Sequence, residues 1–230
     1  MAKILITGSM NGLGRLIANE LLKCNHIVIN YDIMNGLDVR EPDAEFLESV
    51  NNEYGPIDIL INCAGVNLID WLDNFTDGQW DEVMDTNAKG IFKMSQACLP
   101  MLIQSNGTIL NIVSNASHMP MTCSLAYNAS KGAAHIMTLQ MARELTKRHG
   151  ITVFGISPNK LKGTGMSESI DRQVVETRGW TQEYAHQYQL NGLLTGEETP
   201  PEKLAEFIAY LLSNKENHKY LTGCILPYGA

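Results

Sequence analysis

"KILITGSMNGLGRLIANELLK", residues 3–23, joins a short apolar run to a longer one with helical spacing through a turn carrying glycines at 8, 12 and 14. "KILIT" has the length and composition of a buried strand, and "LGRLIANELLK" repeats apolar residues at the period of a helix. Strand, glycine turn, helix is the first unit of a parallel α/β sheet. A pyrophosphate at such a turn needs backbone that comes close and amides that point at it, and a helix N-terminus supplies donors and a favourable dipole. Gly8 would make the tight bend and Gly12 would let the backbone approach. Gly14 would let the helix pack close to the strand, with Asn11 and Leu13 between the glycines. A tight connection without a ligand uses the same residues, so the turn alone leaves both readings open.

The same alternation runs outward along the chain. "HIVINY" (26–31), "IDILIN" (57–62), "GTILNIVS" (107–114), "ITVFGIS" (151–157) and "LTGCILP" (221–227) are further apolar runs, separated by helical patterns at 41–54, 79–104, 126–149 and 200–213. Strands apolar on both faces and alternating with helices predict an α/β fold, a doubly wound parallel sheet of Rossmann-like type. The 230 residues suit a single domain, 1–230, with one site. One connection is too short. Only "IMNGL" separates Asp32 from "DV" at 38–39, whereas a parallel crossover needs a dozen or more residues. The spacing predicts a missing helix after the second strand and a reduced or absent third strand.

Composition narrows the function. Hydrophobic residues make up 44% and charged residues 18%, as in an ordinary soluble protein. A net charge of −8 with no basic run argues against nucleic acid as a partner. The five cysteines are widely spaced, with no CxxC pair for zinc or redox work, so no metal is expected and the thiols read as free groups in a reducing compartment. No apolar stretch approaches the ~20 residues that span a bilayer, and no secretory leader precedes the first strand. A cytoplasmic protein with no membrane partner is the expectation.

Asp32 closes the second strand 18 positions after Gly14, about where an acid accepts hydrogen bonds from an adenosine ribose. A carboxylate there repels a 2′-phosphate, and Ile33 follows it rather than a cation. Arg15 is close in sequence but reads equally as a solvated charge. NAD(H) is therefore preferred as cofactor and NADP(H) is less favoured.

At the chemical end, Tyr127 and Lys131 in "SLAYNASKGAA" (124–134) are four apart and share one helix face. A phenol near pKa 10 exchanges protons poorly at neutral pH, and a nearby ammonium favours its phenolate. The pair can serve as a general acid/base for an alcohol or carbonyl. By chance roughly 0.4 such pairs are expected in this chain. Ser114, at the end of a strand and 13 positions before Tyr127, reduces that to roughly 0.02 triples.

With these residues together the chain resembles the short-chain dehydrogenase/reductase family. "TGSMNGLG", "NCAG" (62–65), "DTNAKG" with Asn87, and Ser114 followed by "YNASK" occur in the family's order. The resemblance implies an NAD(P)-dependent oxidoreductase with catalytic Asn87, Ser114, Tyr127 and Lys131. Ser114 would hold the substrate oxygen and Tyr127 would move its proton. Lys131 would bind the nicotinamide ribose and lower the tyrosine pKa, and Asn87 would hold a water leading from Lys131 to solvent. It further implies cofactor contacts from Asp38, Val39, Asn62, Ala64, Gly65, Pro158, Asn159, Leu161 and Thr164. Asn62, Ala64 and Gly65 would line the adenosine side and brace the sheet. The chain departs from the pattern after the sixth strand, where Asn159 replaces a glycine and Thr164 stands one position further on than usual, and at Tyr228 in the closing strand.

Residues 165–199 occupy the place of the family's substrate lid. Trp180, Tyr184 and Tyr188 recur every four residues as an aromatic stripe that either packs the lid on the body or lines a flat substrate. His118, on the loop between Ser114 and Tyr127, reads as a loop hydrogen-bonder before a catalyst. No cation marks an anionic substrate, so a small alcohol or carbonyl compound, cyclic or aromatic, is expected. A carrier-protein reductase fits less well, since those mostly use NADPH and dock through a basic face. A catalytically silent NAD(H) sensor on the same fold is the alternative. The resemblance also implies a homo-oligomer, a tetramer or dimer, built on helices corresponding to 79–104 and 126–149.

Overall fold

The computed structural model describes residues 1–229. Six strands, β1 (Lys3–Thr7), β2 (Ile27–Tyr31), β3 (Ile59–Asn62), β4 (Thr108–Ile112), β5 (Thr152–Pro158) and β6 (Ile225–Tyr228), form one sheet in the order β2–β1–β3–β4–β5–β6. Every pairing is parallel, with Thr7 opposite Tyr31, Ile6 opposite Ile61 and Ile61 opposite Leu110. The chain reverses direction between β1 and β3, the switch point where ligands bind in open parallel sheets.

Successive side chains of a strand face opposite sides, so each strand feeds two cores. Ile4, Ile6, Ile61, Leu110 and Ile156 meet helices α1 (Gly12–Lys23) and α8 (Pro201–Leu212) through Ile17, Leu21, Leu204 and Ile208. On the other face Leu5, Leu60, Ile109 and Val153 meet α2 (Ala44–Tyr54), α4 (Gly90–Ser105) and α5 (Leu125–His149) through Leu47, Met94, Leu102 and Ala142. This is the doubly wound α/β architecture that the apolar runs predict.

Between Asp32 and Asp38 the chain makes only a three-residue 3-10 turn, Ile33–Asn35, and no strand follows before α2. The missing helix and third strand are thus as the spacing predicts, and β2 is the edge of the sheet. The pattern at 79–104 divides into α3 (Asp77–Met84), a π turn at Asp85–Lys89 and α4. Residues 165–199 hold α6 (Gly165–Arg178) and α7 (Gln182–Asn191), and a short α9 (Lys215–His218) precedes β6. The neck of that excursion is closed by a parallel bridge of Leu161 with Thr199. No helix among the described residues is long and apolar enough to cross a membrane.

Candidate active site

The glycine turn sits where β1 meets α1. Gly8 has φ +68°, and a Cβ there would stand 2.8 Å from Ala64 Cα; one on Gly14 would stand 2.0 Å from the Gly8 carbonyl oxygen. Neither position admits a side chain, whereas a Cβ on Gly12 would meet only open space. Asn11 caps α1, its Oδ1 accepting from the Gly12 N–H at 2.7 Å. Asn11 and Gly12 line a cleft of about 310 Å³ with Arg15, Lys162, Thr164 and Pro201. Leu13 turns into the core beside α8. Arg15 lines the cleft while remaining exposed, and Lys162, which the sequence pattern passes over, adds a second cation. Ser9, buried in the same turn, has a hydroxyl with no partner.

Asp32 is buried, and it joins the turn to the edge strand. Its Oδ2 accepts from the Met10 N–H at 2.9 Å and its Oδ1 from the Met34 N–H at 2.9 Å. Asp38 holds Arg40 in a bidentate pair, 2.6 to 3.0 Å, which keeps its carboxyl below the usual carboxylate range. Val39 is buried against Gly90, where a Cβ would come within 2.8 Å of its Cγ2. Thr7, absent from the sequence-predicted set, accepts from the N–H groups of Cys63 (3.0 Å) and Ala64 (3.1 Å) and so fixes the 62–65 segment on β1. Asn62 faces the core: its Nδ2 donates to Asn111 Oδ1 at 2.8 Å and Ser95 Oγ at 3.2 Å, so its side chain braces β3 to β4 and α4. Gly65 lies against Asn87 and Lys131.

The second centre lies at the carboxyl ends of β4 and β5. The strand ends at Ile112, and Ser114 caps a 3-10 turn, Asn115–Ser117, through an Oγ that accepts from the Ala116 N–H at 3.2 Å. That hydroxyl acts on the Tyr127 phenol in the direction that favours its phenolate. Lys131, one turn further along α5, donates to the Ile112 carbonyl at 2.9 Å, with its ammonium 5.8 Å from the centre of the Tyr127 ring. Asn87 sits in the π turn, fully buried, with Nδ2 donating to the Val66 carbonyl (2.8 Å) and Ser130 Oγ (3.0 Å) and Oδ1 accepting from the Val66 N–H (2.8 Å). A π turn inserts one residue into the helical ladder and is a recurrent feature of functional sites. Asn128, beside Tyr127, holds the 115–119 loop by donating to the carbonyls of Ala116 and Met119.

Burial dominates the electrostatics here. It pushes the Tyr127 phenol above its ordinary value, with the Ser114 hydroxyl pulling the other way, and it lowers the Lys131 ammonium to about 8. The Ser114 hydroxyl favours the phenolate of Tyr127, and the Lys131 ammonium stands 5.8 Å from the centre of its ring. One of the three Lys131 N–H groups is taken by the Ile112 carbonyl. Burial also pushes Cys63 up to about 12, which makes it an inert thiol.

Around the neck, Asn159 donates its N–H to the Tyr228 carbonyl at 3.0 Å, and its φ is negative, so the position does not need the glycine of the family pattern. Pro158 is buried at the end of β5, and Leu161 makes the bridge to Thr199. Thr164 caps α6 and lines the cleft opposite the glycine turn. Lys160 donates to Asp171 on α6 (2.6 Å), to Gln189 on α7, and pairs with Glu198 at 3.1 Å. Asp171, His186 and Glu198 bring ligand atoms within 4.8 Å of one another, and the Lys160 ammonium on both carboxylates makes this an ion-pair node. The aromatic stripe packs on itself. Trp180 meets Tyr184 at 5.0 Å and Tyr188 at 4.9 Å, with Arg178 over its ring at 4.7 Å. His118 and His135 both pair with Ser117 Oγ, so His118 is a loop hydrogen-bonder.

A parallel sheet with a glycine-rich turn at its switch point, and a half-buried serine with a buried tyrosine and lysine beside it, defines a nucleotide-dependent oxidoreductase. The profile of the short chain dehydrogenase family matches residues 36–174, and the chain belongs to that family, whose enzymes act on CH–OH and carbonyl groups with a nicotinamide cofactor. An uncharacterized oxidoreductase of Staphylococcus epidermidis is 31% identical over 74% of this chain and 84% of its own. A 3-oxoacyl-[acyl-carrier-protein] reductase of the same organism is 28% identical over 95% of this chain and 93% of its own. A variant of the actinorhodin polyketide ketoreductase, solved with NADPH, superposes with a TM-score of 0.87 and 26% identity, covering 98% of this chain and 95% of that one.

Proposed function

We propose that this oxidoreductase is NAD(H)-dependent and interconverts a secondary alcohol and its carbonyl compound, with Tyr127 as general acid/base. The observation that carries the reading is the buried phenol of Tyr127 against the Ser114 hydroxyl, one helical turn from the Lys131 ammonium. The nicotinamide supplies the hydride chemistry when bound, which leaves the chain to orient the reactants, polarise one oxygen and move one proton. Ser114 holds the substrate oxygen, Tyr127 exchanges its proton, Lys131 presents its ammonium to the ribose side of the site, and Asn87 fixes the wall behind it through Val66.

The residues present fit a dinucleotide. Gly12 leaves open space, the Ser9 hydroxyl is buried without a partner, and Arg15 and Lys162 bring positive charge to the cleft. Gly8, Asn11, Leu13 and Gly14 form the diphosphate turn. Asp38, Val39, Ala64 and Gly65 serve the adenosine side, and Pro158, Asn159, Leu161 and Thr164 the nicotinamide end. The preference for NAD(H) rests on Asp32: its two backbone donors leave lone pairs for ribose hydroxyls, and its charge disfavours a 2′-phosphate. The NADPH in the ketoreductase belongs to that protein, and a carrier-protein reductase reading gains only if NADPH binds here more tightly. Residues 165–199 act as the lid, and the five free cysteines suit a cytoplasmic location. A homo-oligomer is supported by Phe92 on α4 and Leu125 and Ile136 on α5, all exposed.

Tyr127→Phe is the test. It is expected to reduce alcohol oxidation and carbonyl reduction by at least ~10³-fold while NADH binding, read by nicotinamide fluorescence, is retained. Unchanged turnover in the variant refutes the assignment. NADH binding with no turnover by the wild type on any alcohol or ketone favours the silent sensor.

A further inference from the structure

Buried polar side chains in native proteins nearly always have a partner, because an unpaired donor or acceptor forfeits its hydration for nothing. Among the described residues, Asn67 is the one carboxamide with both polar atoms, Nδ2 and Oδ1, buried without a partner, and the residue is only 8% exposed. The absence of partners at both atoms makes the assignment of oxygen and nitrogen immaterial.

The neighbours of Asn67 fix where it lies. A Cβ on Gly65 would stand 3.8 Å from Lys131 Nζ, and two residues of chain reach no more than about 7 Å beyond that point. Val66 is bonded through both its backbone groups to Asn87, and Val66 and Leu68 pack on the cluster that holds Tyr127 and Ala116. Ile69 belongs to a different cluster, with Cys123 and the α6 and α7 residues Val174 and Ala185, and its N–H donates to Gln173 of α6 at 2.9 Å. Residues 65–69 therefore form a wall that runs from Lys131 to the lid helices, with Asn67 at its middle. A substrate held at Tyr127 would have this wall beside it, since Val66 and Leu68 pack on the same cluster as Tyr127.

The wall is otherwise apolar: Val66, Leu68 and Ile69. A carboxamide offers one acceptor and two donors side by side without charge. It matches a neutral oxygen group, a hydroxyl or carbonyl, and gives no counter-charge to a carboxylate or phosphate. We propose that Asn67 is a specificity-determining residue that hydrogen-bonds a second, neutral oxygen on the substrate, so that the enzyme prefers vicinal diols, hydroxyketones and diketones over mono-alcohols and plain ketones. This rests on Tyr127 as the acid/base.

The test compares kcat/KM on matched pairs with and without the second hydroxyl: cyclohexane-1,2-diol and cyclohexanol, 2,3-butanediol and 2-butanol, 1-phenylethane-1,2-diol and 1-phenylethanol. The wild type is expected to favour the diol about 10- to 100-fold. Asn67→Leu should bring the ratio close to one while keeping NADH binding and a melting temperature at or above that of the wild type, since it removes an unpaired amide. Asn67→Ser, with one hydroxyl in place of the amide, should retain part of the preference and provides the reading if Asn67→Leu does not fold. A diol preference that neither folded variant changes, or a wild type with no preference, overturns the proposal and leaves Tyr127 in place. A wild type that binds NADH and oxidises no member of any pair refutes the reading beneath it as well.

Discussion

Lys131→Met is the perturbation with the largest calculable consequence. The side chain is 5% exposed, and burial brings its ammonium from 10.5 to about 8. At about 1.4 kcal/mol per pH unit, keeping that proton in the ligand-free protein costs about 3 kcal/mol at neutral pH. Methionine keeps most of the volume and removes the charge, but leaves the Ile112 carbonyl without the donor that now stands 2.9 Å away, a loss of about 1–2 kcal/mol. The variant should therefore be more stable than the wild type by about 1–2 kcal/mol at pH 7, or roughly 2–8 °C in Tm for a chain of this size, while losing turnover. The sign with pH follows from a folded-state pKa below the unfolded one. The penalty is full below about pH 8, where both states hold the proton, and is relieved between about 8 and 10.5, where only the unfolded chain holds it. Urea unfolding of the two ligand-free proteins at pH 7, 8, 9 and 9.8 should show the variant's advantage shrink and then reverse. A variant less stable than the wild type at pH 7, or a difference that does not move with pH, would refute the reasoning.

Asp32→Ser should narrow or invert the preference for NADH over NADPH by at least ~10-fold, about 1.4 kcal/mol, in a fluorescence titration, because it removes the charge opposing a 2′-phosphate; an unchanged ratio would mean that another group reads the ribose. Lys160→Met leaves Asp171 and Glu198 facing each other without their shared cation. It should loosen α6 and α7 locally, seen as proteolytic nicking within 165–199 at a rate at least ~5-fold above wild type with little change in global Tm. Gly14→Ala puts a methyl 2.0 Å from the Gly8 carbonyl oxygen and should lower stability by at least about 2 kcal/mol in chemical denaturation.

The sheet was legible because its signal is local: each strand is a short apolar run and each helix a periodic one. The missing helix and strand after β2 were legible from a count, since the five residues between Asp32 and Asp38 cannot hold a crossover. What the sequence could not supply was direction. Asn62 and Asn87 look alike in the motif, yet one amide points into the core at Asn111 while the other grips Val66. The four-residue spacing put Tyr127 and Lys131 on one face, but the carbonyl of Ile112, which captures the ammonium, belongs to a strand that helix periodicity does not mention. Thr7 and Lys160 went unseen for the same reason: each matters through partners more than 10 residues away, at Cys63 and Ala64 for one and at Asp171, Gln189 and Glu198 for the other. The aromatic stripe was visible as spacing, and its role depended on whether the rings had each other to pack on.

The short connection after β2 bears on cofactor choice through Asp32. In a full crossover, the residue that ends the second strand is followed by a helix whose N-terminus can present donors or cations to the ribose. Here the 3-10 turn that replaces it is capped by Asp32 itself, through the Met34 N–H, while the other carboxylate oxygen is held by the Met10 N–H of the glycine turn. Substitution at Asp32 must then disturb two backbone segments as well as the ribose site. The hydrophobic side chains of Met10, Ile33 and Met34 are exposed around it, and the Arg40 guanidinium is already held by Asp38, while Arg15 and Lys162 line the cleft at the glycine turn. Freeing Arg40 with Asp38→Asn is accordingly the second step toward NADPH. On the Asp32→Ser background it should add to NADPH affinity, whereas on the wild-type background, with the Asp32 charge still in place, it should change the preference by less than ~3-fold in the same titration. A large gain from Asp38→Asn alone would show that the ribose is read at Arg40 and not at Asp32.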